Sequence, residues 1–402
     1  MEVSKCYPVN FHNGQIIFFE RFPNLSKPQA KGLALWSFGI ITAHSCNLNA
    51  VANSLSTILP KSFNTIREKL RNSYREASAK PGNHRAELEV TQCWAPFVSW
   101  ILEKWSGTQL AIALDASSLG DVFVILQISI LYRGCSIPIA WKILKANEKH
   151  PWKDEWLVLL EKLKNLIPDS WTVIVLADRG LYAKWLYETI VSLKWHPFLR
   201  VNSSGCFRPE GWNSQIKFRH ILVKKGEHWQ SNGISQKNKL SCTLLVCWGE
   251  EYKEPWFILT DLAHANVCWY GLRAWIERGF KFSKRGGLQW QYARMQSPER
   301  AERLWMAIAI ATFWLAGVGG QEECETEELK LVITPASGSV RSTIQKGKKR
   351  WRIQSILKLA WTLIIRGLFN HKLILVRSIR PEKWPTWPDN IVDATVIEGY
   401  HT

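Results

Sequence analysis

The chain has 402 residues, enough for two or three domains, and is 46% hydrophobic and 21% charged, which excludes a disordered polymer. Lysine and arginine number 52 against 34 aspartates and glutamates, a net +18 that points to an anionic polymer as partner, nucleic acid ahead of a membrane surface. Nine scattered cysteines without a Cys-x2-Cys pair argue against a disulfide framework or a zinc ribbon, so reduced thiols in a cytoplasm are expected.

The N-terminus lacks a basic segment followed by an apolar run, so no signal peptide is expected. Helices are expected at about Lys31–Ala43, Leu48–Ile58 and Asn64–Ala77, with Pro60 breaking the chain between the second and third. On the third, Ile66, Leu70 and Tyr74 repeat every four residues and turn inward, beside a row of Arg67, Arg71 and Arg75. A short helix, a turn and a basic helix outline a helix-turn-helix; a helical bundle with a solvated basic edge fits the same pattern. Ser78–His84 reads as a loop and Ala86–Trp105 as a further helix.

From about residue 108 the period changes. Leu110–Asp115 (LAIALD) is an apolar strand ending in a carboxylate, Ala116–Asp121 a turn, Val122–Leu131 and Cys135–Ile143 two more strands. Trp152–Leu166 is an amphipathic helix. Trp171–Ala177 is a fourth strand followed directly by Asp178, then a helix at Leu181–Leu193 and a strand at Trp195–Val201. The stretch of about 203–262 holds strand-like Gln215–Lys224, Leu240–Trp248 and Pro255–Thr260 and reads as a mostly β insertion. Trp212, Trp229, Trp248 and Trp256 fall in or beside it, and packing is the ordinary role for each.

Asn266–Lys284 (NVCWYGLRAWIERGFKFSK) spaces Tyr270, Arg273, Glu277 and Lys284 by three, four and seven residues. On one continuous α-helix they would share a stripe about 60° wide. A hydroxyl, a guanidinium, a carboxylate and an ammonium there make a surface for phosphates and a metal ion, not a core face. Lys281 and Arg285 belong to the same basic surface. Taken singly, each acid has an ordinary reading: Asp115 or Asp178 as a turn or helix-capping residue, Glu277 as the partner of Lys281.

Beyond this, Leu304–Val318 is the most apolar run, but 15 helical residues span only about 22 Å, short of a bilayer core, so it reads as a buried helix. Glu322–Glu328 reads as an acidic loop. Arg341–Arg352 carries six basic residues and no acid; Trp351–Phe369 is a helix, and Pro381–Pro388 ends regular structure.

The pattern Tyr-x2-Arg-x3-Glu-x6-Lys at Tyr270, Arg273, Glu277 and Lys284 resembles the signature of DDE transposases of the insertion-sequence-four group. Ile112-Ala113-Leu114-Asp115 is similar to that family's first acidic motif, and VLADRGLYAKWL around Asp178 to its second. The order β-β-β-α-β-α-β is that of a ribonuclease H-like domain. The resemblance implies a mixed α/β (α+β) chain: a helical DNA-binding region at 1–107, a ribonuclease H-like catalytic domain at 108–320 carrying the insertion, and a basic, mainly helical region at 321–402. It implies that Asp115, Asp178 and Glu277 are catalytic and hold two Mg²⁺ ions, with Mn²⁺ as substitute. Tyr270, Arg273 and Lys284 would clamp DNA phosphates, with Lys281 and Arg285 beside them. The implied activity is cut-and-paste transposition through a hairpin, acting on terminal inverted repeats and target DNA. A homodimer is implied on DNA, with a nucleoid-associated cytoplasmic location and no membrane. The family also holds a flipped base with an aromatic of the insertion. Two alternatives stay open: a transposase-derived DNA-binding regulator that does not cleave, and a metal-dependent nuclease without strand transfer.

Overall fold

Alternating apolar residues in the middle of the chain build a sheet, and helical periods on either side build a separate helical unit. The computed structural model describes residues 17–82, 85–148, 151–221, 223–250, 252–333, 354–372 and 374–386. The basic run Arg341–Arg352 lies outside them. One compact unit is drawn from residues 17–107, 133–137 and 281–381; the other from 108–132, 138–280 and 382–386.

In the helical unit, α1 (Lys27–Ala43), α2 (Leu48–Ile58), α3 (Phe63–Tyr74) and α4 (Thr91–Lys104) precede α8 (Pro298–Ile333) and α9 (Ile356–Phe369), the labels between them falling in the other unit. Asn47 caps α2 and Ser62 caps α3 by accepting backbone N–H groups. Ile66 and Leu70 are buried as their spacing requires, and Trp36 Nε1 donates to the Leu70 carbonyl at 2.8 Å. The arginine row of α3 is partly neutralised from within: Arg67 and Arg71 both pair with Glu68. The close approach of α1 to α2 depends on Gly39, where an added Cβ would stand 2.5 Å from Val51 Cγ1 and 2.9 Å from Leu55 Cδ1.

Leu304–Val318 lies within α8, with Trp305, Ile308, Phe313 and Leu315 buried in the unit. The acidic stretch expected as a loop at Glu322–Glu328 is instead the continuation of α8. Glutamate is a good helix former, and Glu323 is held by Arg133 at 2.7 Å, so the helix has no reason to stop. At the other end of α8, Arg300 grips Glu76 through two bonds of 2.8 and 2.7 Å.

The second unit is built on one ten-stranded sheet in the order β3-β2-β1-β4-β5-β10-β9-β8-β6-β7. Its strands are β1 (Gln109–Leu119), β2 (Phe123–Tyr132), β3 (Cys135–Lys145), β4 (Thr172–Ala177), β5 (His196–Arg200), β6 (Cys206–Pro209), β7 (Ile216–Lys217), β8 (His228–Ser235), β9 (Leu240–Cys247) and β10 (Trp256–Thr260). Helices α5 (Lys153–Glu161) and α6 (Lys184–Ser192) connect β3 to β4 and β4 to β5. β1 runs antiparallel to β2 and parallel to β4, and β4 parallel to β5, which is the ribonuclease H-like arrangement. The insertion is not a separate β domain: β10 pairs antiparallel with β5, and β9, β8, β6 and β7 follow, so it extends the same sheet.

Two outcomes follow from this packing. Gly39→Val is expected to lower stability by about 1–3 kcal/mol, because short, stiff side chains on α2 leave no room; an unchanged urea midpoint would contradict the close approach. Arg300 pulls the Glu76 carboxyl from its ordinary 4.5 down to about 2. The stabilisation is therefore present above pH 4.5 and is lost as pH falls toward 2. Arg300→Ala is expected to flatten that part of the acid-unfolding curve while leaving its neutral shape intact.

Candidate active site

The parallel register of β1 and β4 sets Leu114 opposite Ala177. The next residue on each strand is an aspartate, so Asp115 and Asp178 stand side by side. Asp115 does not end its strand. β1 continues to Leu119, and Asp115 pairs across to Gln127 of β2. The expected turn at Ala116–Asp121 is mostly strand, because β2 offers a full set of partners opposite Ala116–Leu119. Asp178 does follow β4 directly, but it caps no helix: α6 starts only at Lys184, behind Ala183. The Asp178 carboxylate accepts instead from its neighbour's amide, Arg179 N–H, at 2.7 Å.

The stretch after β10 is not one continuous helix. Asn266 accepts from Cys268 N–H and opens a tight 3₁₀ segment, Val267–Arg273. It passes into α7 (Ala274–Lys281), and a wide turn, Phe282–Gly286, follows. Lys284 has φ −85° and ψ −120°, outside helical values. The single stripe from Tyr270 to Lys284 is therefore broken. At Gly286 a Cβ would stand 2.9 Å from the Lys281 carbonyl oxygen, which shows how sharply the chain closes there. Lys281, Lys284 and Arg285 fall in the helical unit, and Tyr270, Arg273 and Glu277 in the sheet unit with the two aspartates.

Arg273 joins the three acids. Its Nη2 lies 3.2 Å from Asp115 Oδ2 and 3.7 Å from Asp178 Oδ2, and its Nη1 donates to Glu277 Oε1 at 2.6 Å. The Glu277 partner is thus Arg273, four residues back, and not Lys281. The arginine side chain is 12% exposed, whereas Glu277 is 61% exposed. Burial raises the Asp115 carboxyl above its usual range; Arg273 and the Ala116 amide oppose that, while the charges of Glu277 and Asp178 add to it.

Tyr270 is not a surface hydroxyl. It is buried, its ring meets Trp256 edge-on at 5.0 Å, and its hydroxyl has no hydrogen-bond partner among the described residues. Burial raises its pKa. Trp256 in turn packs on Tyr252 at 4.1 Å. Of the other insertion tryptophans, Trp248 donates to the Tyr252 carbonyl, Trp229 meets Phe207 edge-on, and Trp229 also lines a 370 Å³ cavity with His228, His264 and Trp269.

Two features escaped the sequence reading. Gln127 and Ser129 are fully buried on the face of β2 that Asp115 shares, with Gln127 Nε2 donating to Ser129 Oγ at 2.9 Å. A glutamine and a serine inside VFVILQISIL were the available signal. The second is an ion cluster, in which Arg179 Nη1 and Arg200 Nη2 both donate to Glu254 Oε1, at 3.1 and 2.7 Å.

The donor set suits a hard divalent cation. Asp115 and Asp178 place oxygens within 3.7 Å of one cationic nitrogen, so the position between them favours positive charge. Among the described residues no three His, Cys, Asp or Glu side chains stand together as a finished cage, since Arg273 draws Glu277 to its far side.

Residues 145–314 match the family model described as the transposase DDE domain. The match takes in Asp178, Arg273 and Glu277 and begins beyond Asp115. Among solved structures, the chain is similar to piggyBac transposase in a synaptic complex with hairpin DNA, at 10% identity and a TM-score of 0.40, over 92% of this chain and 80% of that one. It is also similar to human endonuclease V, at 12% identity and a TM-score of 0.23, over 56% of this chain and 87% of that one. No curated protein matches. The domain match covers less than half of the chain, and over that stretch the chain is similar to DDE transposases, a family that generally uses divalent metal ions.

Arg273→Met would leave the buried Asp115 carboxyl without its counter-charge, with the Asp178 carboxylate beside it. It is expected to destabilise the protein at neutral pH by on the order of 2 kcal/mol, and by less where Asp115 is protonated. Urea unfolding at two pH values checks this, and an equal loss at both would sink it.

Proposed function

We propose that the chain is a transposase of the insertion-sequence-four type that cuts and rejoins DNA at terminal inverted repeats, by cut-and-paste through a hairpin intermediate. The observation that carries the reading is the convergence of Asp115, Asp178 and Glu277 on one guanidinium where the β1–β4 ladder ends. Asp115, Asp178 and Glu277 would hold two divalent ions, Mg²⁺ or Mn²⁺. When bound, such ions activate the attacking oxygen and stabilise the leaving oxygen of an in-line phosphoryl transfer.

The remaining work falls to the chain. Arg273 holds the three carboxylates in register, and its planar fork would suit the phosphate beside the scissile bond. Tyr270 has a buried hydroxyl to offer the same phosphate. Lys284, with Lys281 and Arg285, would add positive charge for DNA phosphates. The buried Gln127–Ser129 pair fixes the strand on which Asp115 sits. A homodimer on DNA, a helical DNA-binding region at 1–107, a catalytic region at 108–320, a basic region at 321–402 and a nucleoid-associated cytoplasmic location complete the reading. The regulator reading is disfavoured because a non-cleaving descendant has no chemical need for three acids around one arginine.

The test is cleavage of DNA carrying the element's own ends, with Mg²⁺, by wild type and by Asp178→Ala. The wild type is expected to nick at the boundary, and the variant to bind without cutting. Equal cutting by both would remove Asp178 from the site. Binding by both with no cutting by either would favour the regulator, and cutting without joining the nuclease.

A further inference from the structure

The parallel register that aligns the two aspartates continues one strand further. Ala177 of β4 stands opposite Leu199 of β5, so Asp178 is level with Arg200. Asp115, Asp178 and Arg200 thus form a row across three parallel strands, one residue beyond the last β1–β4 pair, neighbours being about 4.8 Å apart. Arg179 follows Asp178 in the chain. Both arginines end on the same oxygen, Glu254 Oε1, at 3.1 and 2.7 Å.

This arrangement is unlike an ordinary surface ion pair. Two guanidinia share one carboxylate oxygen, so the cluster keeps one positive charge in excess. Arg200 is 17% exposed and held by its strand, whereas Glu254 is 55% exposed on the β9–β10 connection. The flanking residues are anchored, Tyr252 on Trp256 and Trp256 on Tyr270, so rotation of the Glu254 side chain alone would free both forks. Exposed pairs of this kind contribute little stability and exchange readily with a solvent anion. An arginine fork that accepts a carboxylate oxygen accepts a phosphate oxygen with the same geometry.

We infer that Arg179 and Arg200 form a DNA-phosphate site that Glu254 covers in the free protein and vacates when the DNA backbone arrives. The inference rests on the DNA-enzyme reading above and adds to it a second backbone contact, one strand beyond the metal-binding aspartates, with a built-in competitor. Glu254 then lowers affinity for any DNA, and the two arginines raise it without regard to sequence.

The experiment is binding of an arbitrary duplex DNA in EDTA, by fluorescence anisotropy across a series of salt concentrations. It compares wild type, Glu254→Gln, Arg179→Ala/Arg200→Ala, and the triple variant, each checked for folding by circular dichroism. Glu254→Gln is expected to bind about fivefold more tightly. The double arginine variant is expected to lose about 0.9 in the log–log salt slope for each arginine removed. Adding Glu254→Gln to the double variant is expected to change nothing, since no forks remain to uncover. If wild type binds DNA but Glu254→Gln matches it, or tightens binding equally without the arginines, the inference falls and the enzyme reading stands. If wild type binds no DNA at any salt concentration, the enzyme reading itself falls.

Discussion

The site depends on one contact: the guanidinium of Arg273 set among Asp115, Asp178 and Glu277. Three carboxylates brought close without a cation repel one another, and burial makes that repulsion stronger. The sheet forces two of them together, because the register of β1 on β4 leaves no freedom in where Asp115 and Asp178 stand. Arg273 makes this tolerable by supplying the counter-charge. It also explains why the third acid arrives on a helix from far along the chain. Glu277 lies four residues beyond the arginine, on α7, which continues directly from the 3₁₀ segment that ends at Arg273.

The surroundings follow from that contact. A tight 3₁₀ segment delivers Arg273 with its own side chain largely buried, and the same segment buries Tyr270 against Trp256. Trp256 opens β10, and β10 is bonded to β5. The aromatic wall behind the arginine is therefore fixed by strand pairing. Trp384, from the Pro/Trp-rich stretch, packs edge-on against Trp269 at 4.9 Å and closes the same segment from another side.

Much of this was legible in the sequence. Apolar runs marked β1 to β5, and the register of β1 on β4 sets the two aspartates side by side as that strand order requires. The misreadings have physical causes. Ser117 and Ser118 look like turn residues, but eight cross-strand pairs with β2 outweigh local preference. β8 reads His-Trp-Gln-Ser-Asn-Gly-Ile-Ser and has no strand signal; it exists because β9 gives it a partner. The stripe from Tyr270 to Lys284 assumed one helix, whereas the chain changes pitch at Arg273 and closes at Gly286 and Gly287. Glu254 and Arg200 were out of reach, since nothing in local sequence relates a loop glutamate to a strand end 54 residues away.

The way the insertion joins the sheet has a further consequence. Its strands are not hung from the rest of the sheet by two linkers but share a hydrogen-bonded edge with it, through Leu199 and Arg200 on β5. Such a segment cannot swing as a lid, nor can it be trimmed away: removing it would leave β5 as a bare edge, open to pairing with another chain. The sheet core and the insertion are thus one mechanical body, and the far strands β8, β6 and β7 are the ones separated from the candidate site by β9 and β10.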